Sequence, residues 1–425
     1  MPLTRRRFLQ GVSIAALAAA ADACLPSSPT PSTAVTPAPS GPPPSAVPTS
    51  SASLPPSPSP TPGPTADPAA LRRKIGGLLV VGFRGLSVAD GAPIARAIVE
   101  EGLGGVILFS TDQLTGKPRN IGSPAQLADL TGRLREFAGG RPLFVAVDQE
   151  GGRVARLTPA NGFPATVSEA EIGLRGDVAA ALAIGRATGM TLKASGIDWN
   201  LAPVVDLNVN PSNPSIGKLG RSFSADPAVV VAMAAAIVRG HRESGILTAL
   251  KHFPGLGSAT GDTDRGFVDV SRTWHPAELE PFRRLVATGD VDGVMVANAF
   301  NAQIDPVHPA TLSVPTVQGT LRAVPGVNPV PAGQVAPIGW DGLVVTDDLQ
   351  AGAIRDAYAD ALAVQLALAA GSDVLLFANQ QVYVPDIASR VIDTIVGLVE
   401  TGVIDEAALD TSVARIAAAR ASVGG

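Results

Sequence analysis

Several short apolar runs of this chain end in residues that can do chemistry. The run at 143–148 ends in Asp148 and continues Gln149-Glu150-Gly151-Gly152-Arg153. The run at 198–204 leads to Asp206, and the one at 248–253 carries Lys251-His252. The run at 293–300 holds Asn298, and the one at 342–348 closes on Asp347-Asp348. A carboxylate or an ammonium at the end of a buried apolar strand is costly unless it is paired or functional. Recurrence at so many strand ends describes a polar site at one rim. The residue types suit a sugar: carboxylates accept paired hydrogen bonds from vicinal hydroxyls, while Lys, His and Arg donate to others. Asp347 could attack an anomeric carbon and form a covalent glycosyl intermediate, which gives retention of configuration.

Such a rim needs elements to carry it. From Leu71 onward apolar runs alternate with helical patterns. The runs lie at 75–83, 105–109, 143–148, 198–204, 248–253, 293–300, 342–348 and 372–377. Each is short, apolar on both faces and bounded by Gly or polar residues, as a buried parallel strand should be. Amphipathic or Ala-rich stretches of helical length separate them, at 124–138, 178–195, 225–244, 277–288 and 354–370, and 405–420 closes the chain. This pattern predicts an α/β fold, a (β/α)8 TIM-type barrel, with chemistry at the C-terminal strand ends. An open doubly wound sheet is the runner-up. It would usually carry a Gly-rich phosphate turn after the first strand, and GLLVVGFRGLS has no G-x-G-x-x-G. The segment 314–341 is rich in Pro and Gly and longer than a usual barrel loop; it is expected to cover the site.

Composition narrows the function. With 46% hydrophobic and 16% charged residues, the 425-residue chain can bury a large core. A net charge of −5 leaves no basic excess to neutralise phosphates, so nucleic acid is excluded as a partner. One Cys excludes an intrachain disulfide, and four His make a metal centre unexpected. The three Trp residues, Trp199, Trp274 and Trp340, are expected in core or loop packing rather than under a sugar.

The first seventy residues read as a leader rather than as fold. Thr4-Arg5-Arg6-Arg7-Phe8-Leu9 matches the twin-arginine export pattern, and an Ala-rich stretch from Val12 to about Ala21 fits a signal h-region. Residues 1–23 are therefore expected to be a signal peptide. Cys24, just after it, resembles a lipoprotein processing site, although Ala21-Asp22-Ala23 also reads as an ordinary signal-peptidase site. Residues 24–68 would then be a lipidated Cys followed by a disordered Pro/Ser/Thr-rich linker that cannot bury a core. At about 3.1 Å per residue such a linker spans on the order of 100 Å. The expected location is outside the cell, anchored to the outer face of the membrane or in the cell-wall space, with residues 69–425 as the barrel domain.

The segments DQEGGRVAR (148–156), NLAPVVDLN (200–208), GRSF (220–223), KHFPGLG (251–257) and GLVVTDDL (342–349) resemble family 3 glycoside hydrolases. They resemble most the single-domain β-N-acetylglucosaminidase branch, and HPATLS (308–313) and AGSDVLL (370–376) fit as well. The match runs through residues 71–420 in order. It implies a retaining β-N-acetylhexosaminidase, without cofactor or metal, acting on a carbohydrate such as wall-derived N-acetylglucosamine glycans; the leader makes it an exported one, and a monomer is expected. Residue by residue, Asp347 looks like the catalytic nucleophile. Asp148, Arg221, Lys251 and His252 look like substrate-binding residues. Arg156, grouped with them, and Asp206 match positions that support the site.

One departure matters. In this branch the loop after KHFPG normally reads His-Gly-Asp-Thr, two residues, then Asp-Ser-His, whose last His is the general acid/base. Here the loop reads KHFPGLGSATGDTDRGF. Asp262 falls on the Asp that orients the catalytic His, Asp264 falls on that His, and Leu256 replaces the His of the Gly-His-Gly triplet. Three outcomes are open: Asp264 or Asp262 acts as the acid, its pKa raised by the other; the chain is a weakened carbohydrate-binding lipoprotein; or it cleaves only good leaving groups. Asn298 and Gln350 also depart from the branch, which bears on sugar identity.

Overall fold

The computed structural model describes residues 67–326 and 335–422; the expected signal peptide, Cys24 and nearly all of the linker lie outside them. The strands are β1 (Leu79–Gly82), β2 (Gly105–Leu108), β3 (Phe144–Val147), β4 (Trp199–Asn200), β5 (Leu247–Thr248), β6 (Leu250–Phe253), β7 (Gly293–Val296), β8 (Leu343–Thr346) and β9 (Leu375–Phe377). The helices are α1 (Pro68–Gly76), α2 (Pro93–Val99), α3 (Pro124–Ala138), α4 (Glu169–Arg175), α5 (Val178–Ala194), α6 (Pro227–Glu243), α7 (Glu280–Val286), α8 (Gly352–Arg355), α9 (Asp360–Ala370), α10 (Ile387–Glu400) and α11 (Glu406–Ala421).

The ladders between these strands are parallel, in the order β5-β4-β3-β2-β1-β9 and β6-β7-β8. Parallel bridges Val204–Lys251 and Val345–Val374 join the two sheets into a ring. Only Ala249 separates β5 from β6, which form the two halves of one barrel strand. The result is a TIM-barrel-like α/β fold, and its closure rules out the open doubly wound sheet. Every residue of β1, β2, β3, β7 and β8 is buried, as strands covered on both faces require. The helices start where local chemistry says they should. Asp67, Ser123, Asp177 and Asp226 accept first-turn N–H groups, and Pro stands at the first turn of α1, α2, α3 and α6.

Three expectations need correction. The run at 75–83 is not strand throughout: Ile75 and Gly76 end α1, and β1 begins at Leu79. A short apolar run cannot by itself separate a buried helical turn from a strand. The stretch 277–288 is a 3-10 turn, Pro276–Leu279, followed by α7. The described part of 314–341 does not line the pocket. It forms a π-helix, Pro315–Arg322, that buries Val317 and Leu321. Its Arg322 donates to the carbonyls of Gly342 and Gly371 and pairs with Asp373, at the N-terminal ends of β8 and β9. Pro and Gly marked a loop there, but the apolar pair at i and i+4 ties the segment to the opposite end of the barrel.

Candidate active site

At the C-terminal strand ends lies a cavity of about 270 Å³. Ile107, Met295 and Leu376, from β2, β7 and β9, contribute apolar surface to its lining. The eight residues expected at the site, Asp148, Arg156, Arg221, Lys251, His252, Asp262, Asp264 and Asp347, all line this cavity. Asp148 and Asp347 stand one residue beyond β3 and β8, and Lys251 and His252 lie on β6. The three Trp residues do not line it: Trp199 and Trp274 are buried in the core and Trp340 packs against the core cluster.

The charges are ordered around Lys251. Its ammonium lies 2.8 Å from Asp148 Oδ1 and 2.7 Å from Glu150 Oε1. Glu150 also accepts a bidentate pair from Arg221, at 2.7 and 2.8 Å, the strong planar form of such a contact. Arg156 reaches Asp148 Oδ2 at 3.3 Å. Burial pushes the Asp148 carboxyl up, but Lys251 and Arg156 outweigh it and hold Asp148 well below the usual carboxylate range. Burial likewise opposes the Glu150 carboxylate, yet Arg221 and Lys251 bring it down to about 2. Lys251 is the mirror case: burial lowers it, and Asp148 and Glu150 raise it above its ordinary value.

His252 is held from two sides. Arg221 approaches its Nε2 at 3.3 Å. A guanidinium can only donate, so Nε2 accepts and the Nδ1–H donates to Asp206 Oδ2 at 2.7 Å. The other Asp206 oxygen accepts the backbone N–H groups of His252, at 3.1 Å, and Leu256, at 2.8 Å. Asp206 is fully buried and supports the site, as its motif position implied.

The loop beyond β6 brings Asp262 and Asp264 to the same cavity. Asp264 is exposed at the cavity lining, so burial acts on it through the protein packed around the carboxyl rather than through full enclosure. Burial, then Asp347 and Asp262, push its carboxyl up to about 6, with a smaller upward push from Asp148 and an opposing pull from Arg221. Asp262 does not orient the Asp264 carboxyl directly. It accepts the Asp264 backbone N–H at 3.2 Å and pairs with Arg265 at 3.3 Å. Leu256 is buried and lines the pocket where the branch places a histidine.

Sequence reasoning missed some residues of the site. Glu150 binds both central cations, although it stands inside the DQEGGR segment, two positions past Asp148. Asp348, noted at its strand end but given no role, also lines the cavity, and burial pushes its carboxyl up to about 7. Gln380 and Gln381 line it just beyond β9, and the strand-end rule applied to AGSDVLLFANQQ would have found them. Asn298 and Gln350 do not reach into the cavity; Asn298 donates to the Asp348 carbonyl at 2.7 Å and Gln350 exchanges side-chain hydrogen bonds with Asn379.

The model of the glycosyl hydrolase family 3 N terminal domain matches residues 70–419. The chain is 34% identical over 374 residues to the beta-hexosaminidase LpqI of Mycobacterium tuberculosis, a match covering 85% of this chain and 86% of that protein. Among solved structures, the beta-N-acetylhexosaminidase of Beutenbergia cavernae superposes with a TM-score of 0.70 at 32% identity, covering 83% of this chain and 98% of that one. A family 3 beta-N-acetylglucosaminidase of a Paenibacillus species superposes at 0.71 with 33% identity, covering 83% of this chain and 62% of the longer Paenibacillus chain.

Proposed function

The chain belongs to glycosyl hydrolase family 3, and from that premise we propose that it is an exported, lipid-anchored, retaining β-N-acetylhexosaminidase in which Asp347 attacks and Asp264 supplies the proton. Glycosidase activity of the β-hexosaminidase kind comes with the family; the proposal concerns its mechanism, substrate and location. One observation carries it. A carboxyl pushed up to about 6 lines the same cavity as the Asp347 carboxylate. A carboxyl able to hold a proton, in one cavity with a second carboxyl, is what a retaining glycosidase needs.

In this reading the sugar's hydroxyls bind Asp148, Lys251, Arg221 and His252. Asp347 attacks the anomeric carbon while protonated Asp264 donates to the departing glycosidic oxygen. The C–O bond to the leaving group breaks as the ester to Asp347 forms. Asp264, now a carboxylate, takes a proton from water as that water attacks the anomeric carbon, which frees Asp347 and restores the acid. Two inversions give net retention. The natural substrate is a glycan ending in β-linked N-acetylglucosamine, such as those derived from cell wall.

The first-formed sugar, read by proton NMR, should be the β anomer, and Asp347→Asn should lose about 10³-fold or more in turnover. An α product would overturn the Asp347 assignment. The twin-arginine segment, the apolar h-region and Cys24 support export and anchoring. Cys24→Ser should move the protein from the membrane to the soluble fraction, and unchanged partition would sink the anchor.

A further inference from the structure

Gly352 opens α8 five residues after the nucleophile strand's Asp347, and it touches the loop that carries Asp264. The backbone N–H of Gly352 donates to the Asp264 carbonyl at 3.0 Å, and that of Ala353 donates to the Thr263 carbonyl at 2.9 Å. These are first-turn N–H groups, which a helix leaves without internal partners. The loop thus closes onto the chain that leaves β8. Gly352 has helical backbone, so a left-handed conformation does not call for glycine there. Space does. A Cβ on Gly352 would stand 2.7 Å from the Arg265 carbonyl carbon, 2.7 Å from the Gly266 nitrogen and 3.0 Å from the Arg265 oxygen. All three are backbone atoms, so no flexible side chain can yield to it.

We propose that Gly352 is a positioning residue: its missing side chain lets the 262–266 loop dock on the nucleophile segment, so that Asp264 is delivered opposite Asp347. This rests on the reading of Asp264 as the acid. Asp347 is tied in turn to β7, its N–H donating to the Val296 carbonyl at 3.0 Å. One short stretch, 347–353, therefore holds the nucleophile at one end and clamps the acid's loop at the other. A Cβ at Gly352 must lift the loop by several tenths of an ångström. Misplacement on the order of 1 Å is worth about 10²-fold in rate when a group must be aligned. Asp347, Asp262, Asp148 and Arg221 act on the Asp264 carboxyl through their charges, and Asp348, in the same cavity, is raised in part by the charge of Asp264. Withdrawing Asp264 from the carboxylates and from the crowded cavity lets its pKa fall back toward the ordinary value.

The test uses the full chain and two N-acetyl-β-glucosaminides, one with a nitrophenyl leaving group and one with a sugar leaving group. Gly352→Ala should lose about 10²-fold in kcat/KM on the sugar leaving group and only a few-fold in kcat/KM on nitrophenyl, whose departure needs little acid help. The basic limb of its kcat/KM profile should also move to lower pH. Gly397→Ala, in α10 and with a Cβ that meets open space, should match the wild type on both substrates. Equal losses of Gly352→Ala on both substrates, with an unmoved pH limb, would overturn the clamp, and so would full retention of both activities. Asp264→Asn separates the two levels. If it fails to lose the sugar leaving group selectively, the acid assignment falls and the clamp's purpose with it. If it shows that loss and Gly352→Ala does not, the clamp alone falls. Should Gly352→Ala not fold, amide exchange in the wild type decides. The Gly352 and Ala353 N–H groups should be protected, and exchange at the rate of open loop amides would refute the docking.

Discussion

In the proposed mechanism Asp264 takes over the chemistry that its family branch gives to a histidine, and its surroundings differ accordingly. A histidine donates a proton near neutrality without help. A carboxyl must be held protonated, and here burial, Asp347 and Asp262 push it up to about 6. The sign sets the expected profile. The acid form is the donor, so the basic limb of kcat/KM on a sugar leaving group should fall as pH rises through about 6. A limb near 4, the ordinary aspartate range of about 3.9, would contradict the described environment. Much of the site was legible because strand-end carboxylates are conspicuous beside apolar runs. Glu150 was not singled out, because its importance lies in two cations that reach it from Arg221 and Lys251, far away along the chain. The same holds for the raised Asp264 carboxyl. Two neighbouring acids hint at it, but the burial that contributes most is a property of the assembled cavity.

At the scale of elements, the end of β6 and the loop beyond it depend on a carboxylate from the neighbouring barrel position. Asp206 accepts the backbone N–H of His252, the ring Nδ1–H of His252 and the backbone N–H of Leu256. Asp206→Ala would leave these donors buried without partners, at about 1–3 kcal/mol each. A loss of about 3 kcal/mol or more in urea unfolding is expected, together with loss of sugar binding. A change below about 1 kcal/mol would show that the tie does not hold the strand end. The strand positions themselves were legible, since a short run that is apolar on both faces suits a strand covered from both sides. The exceptions have physical causes. Ile75 reads as strand by its apolarity, yet Asp67 and Pro68 nucleate a helix through it. The π-helix at Pro315–Arg322 has a loop's composition and is fixed by its contacts with the chain entering β8 and β9.

For the molecule as a whole, ring closure is the least legible feature. β1 pairs with β9 at Leu79–Leu375, Val80–Leu376 and Val81–Phe377, contacts that no local pattern announces; counting strands led to the barrel only through the rule that helices alternate with parallel strands. Closure is also what makes one site out of scattered strand ends, since Asp148, Lys251 and Asp347 converge only when the sheet returns on itself. In the proposed reading this chain remains a glycosidase on natural glycans because Asp264 replaces the missing histidine. The most direct measurement is turnover of an N-acetyl-β-glucosaminide with a sugar leaving group beside one with an activated aryl group, by wild type and Asp264→Asn. The wild type should cleave both, and Asp264→Asn should lose about 10²–10⁴-fold in kcat/KM on the sugar leaving group but little in kcat/KM on the aryl group. A wild type that leaves the natural linkage untouched, with Asp264→Asn no different from it, would contradict the claim.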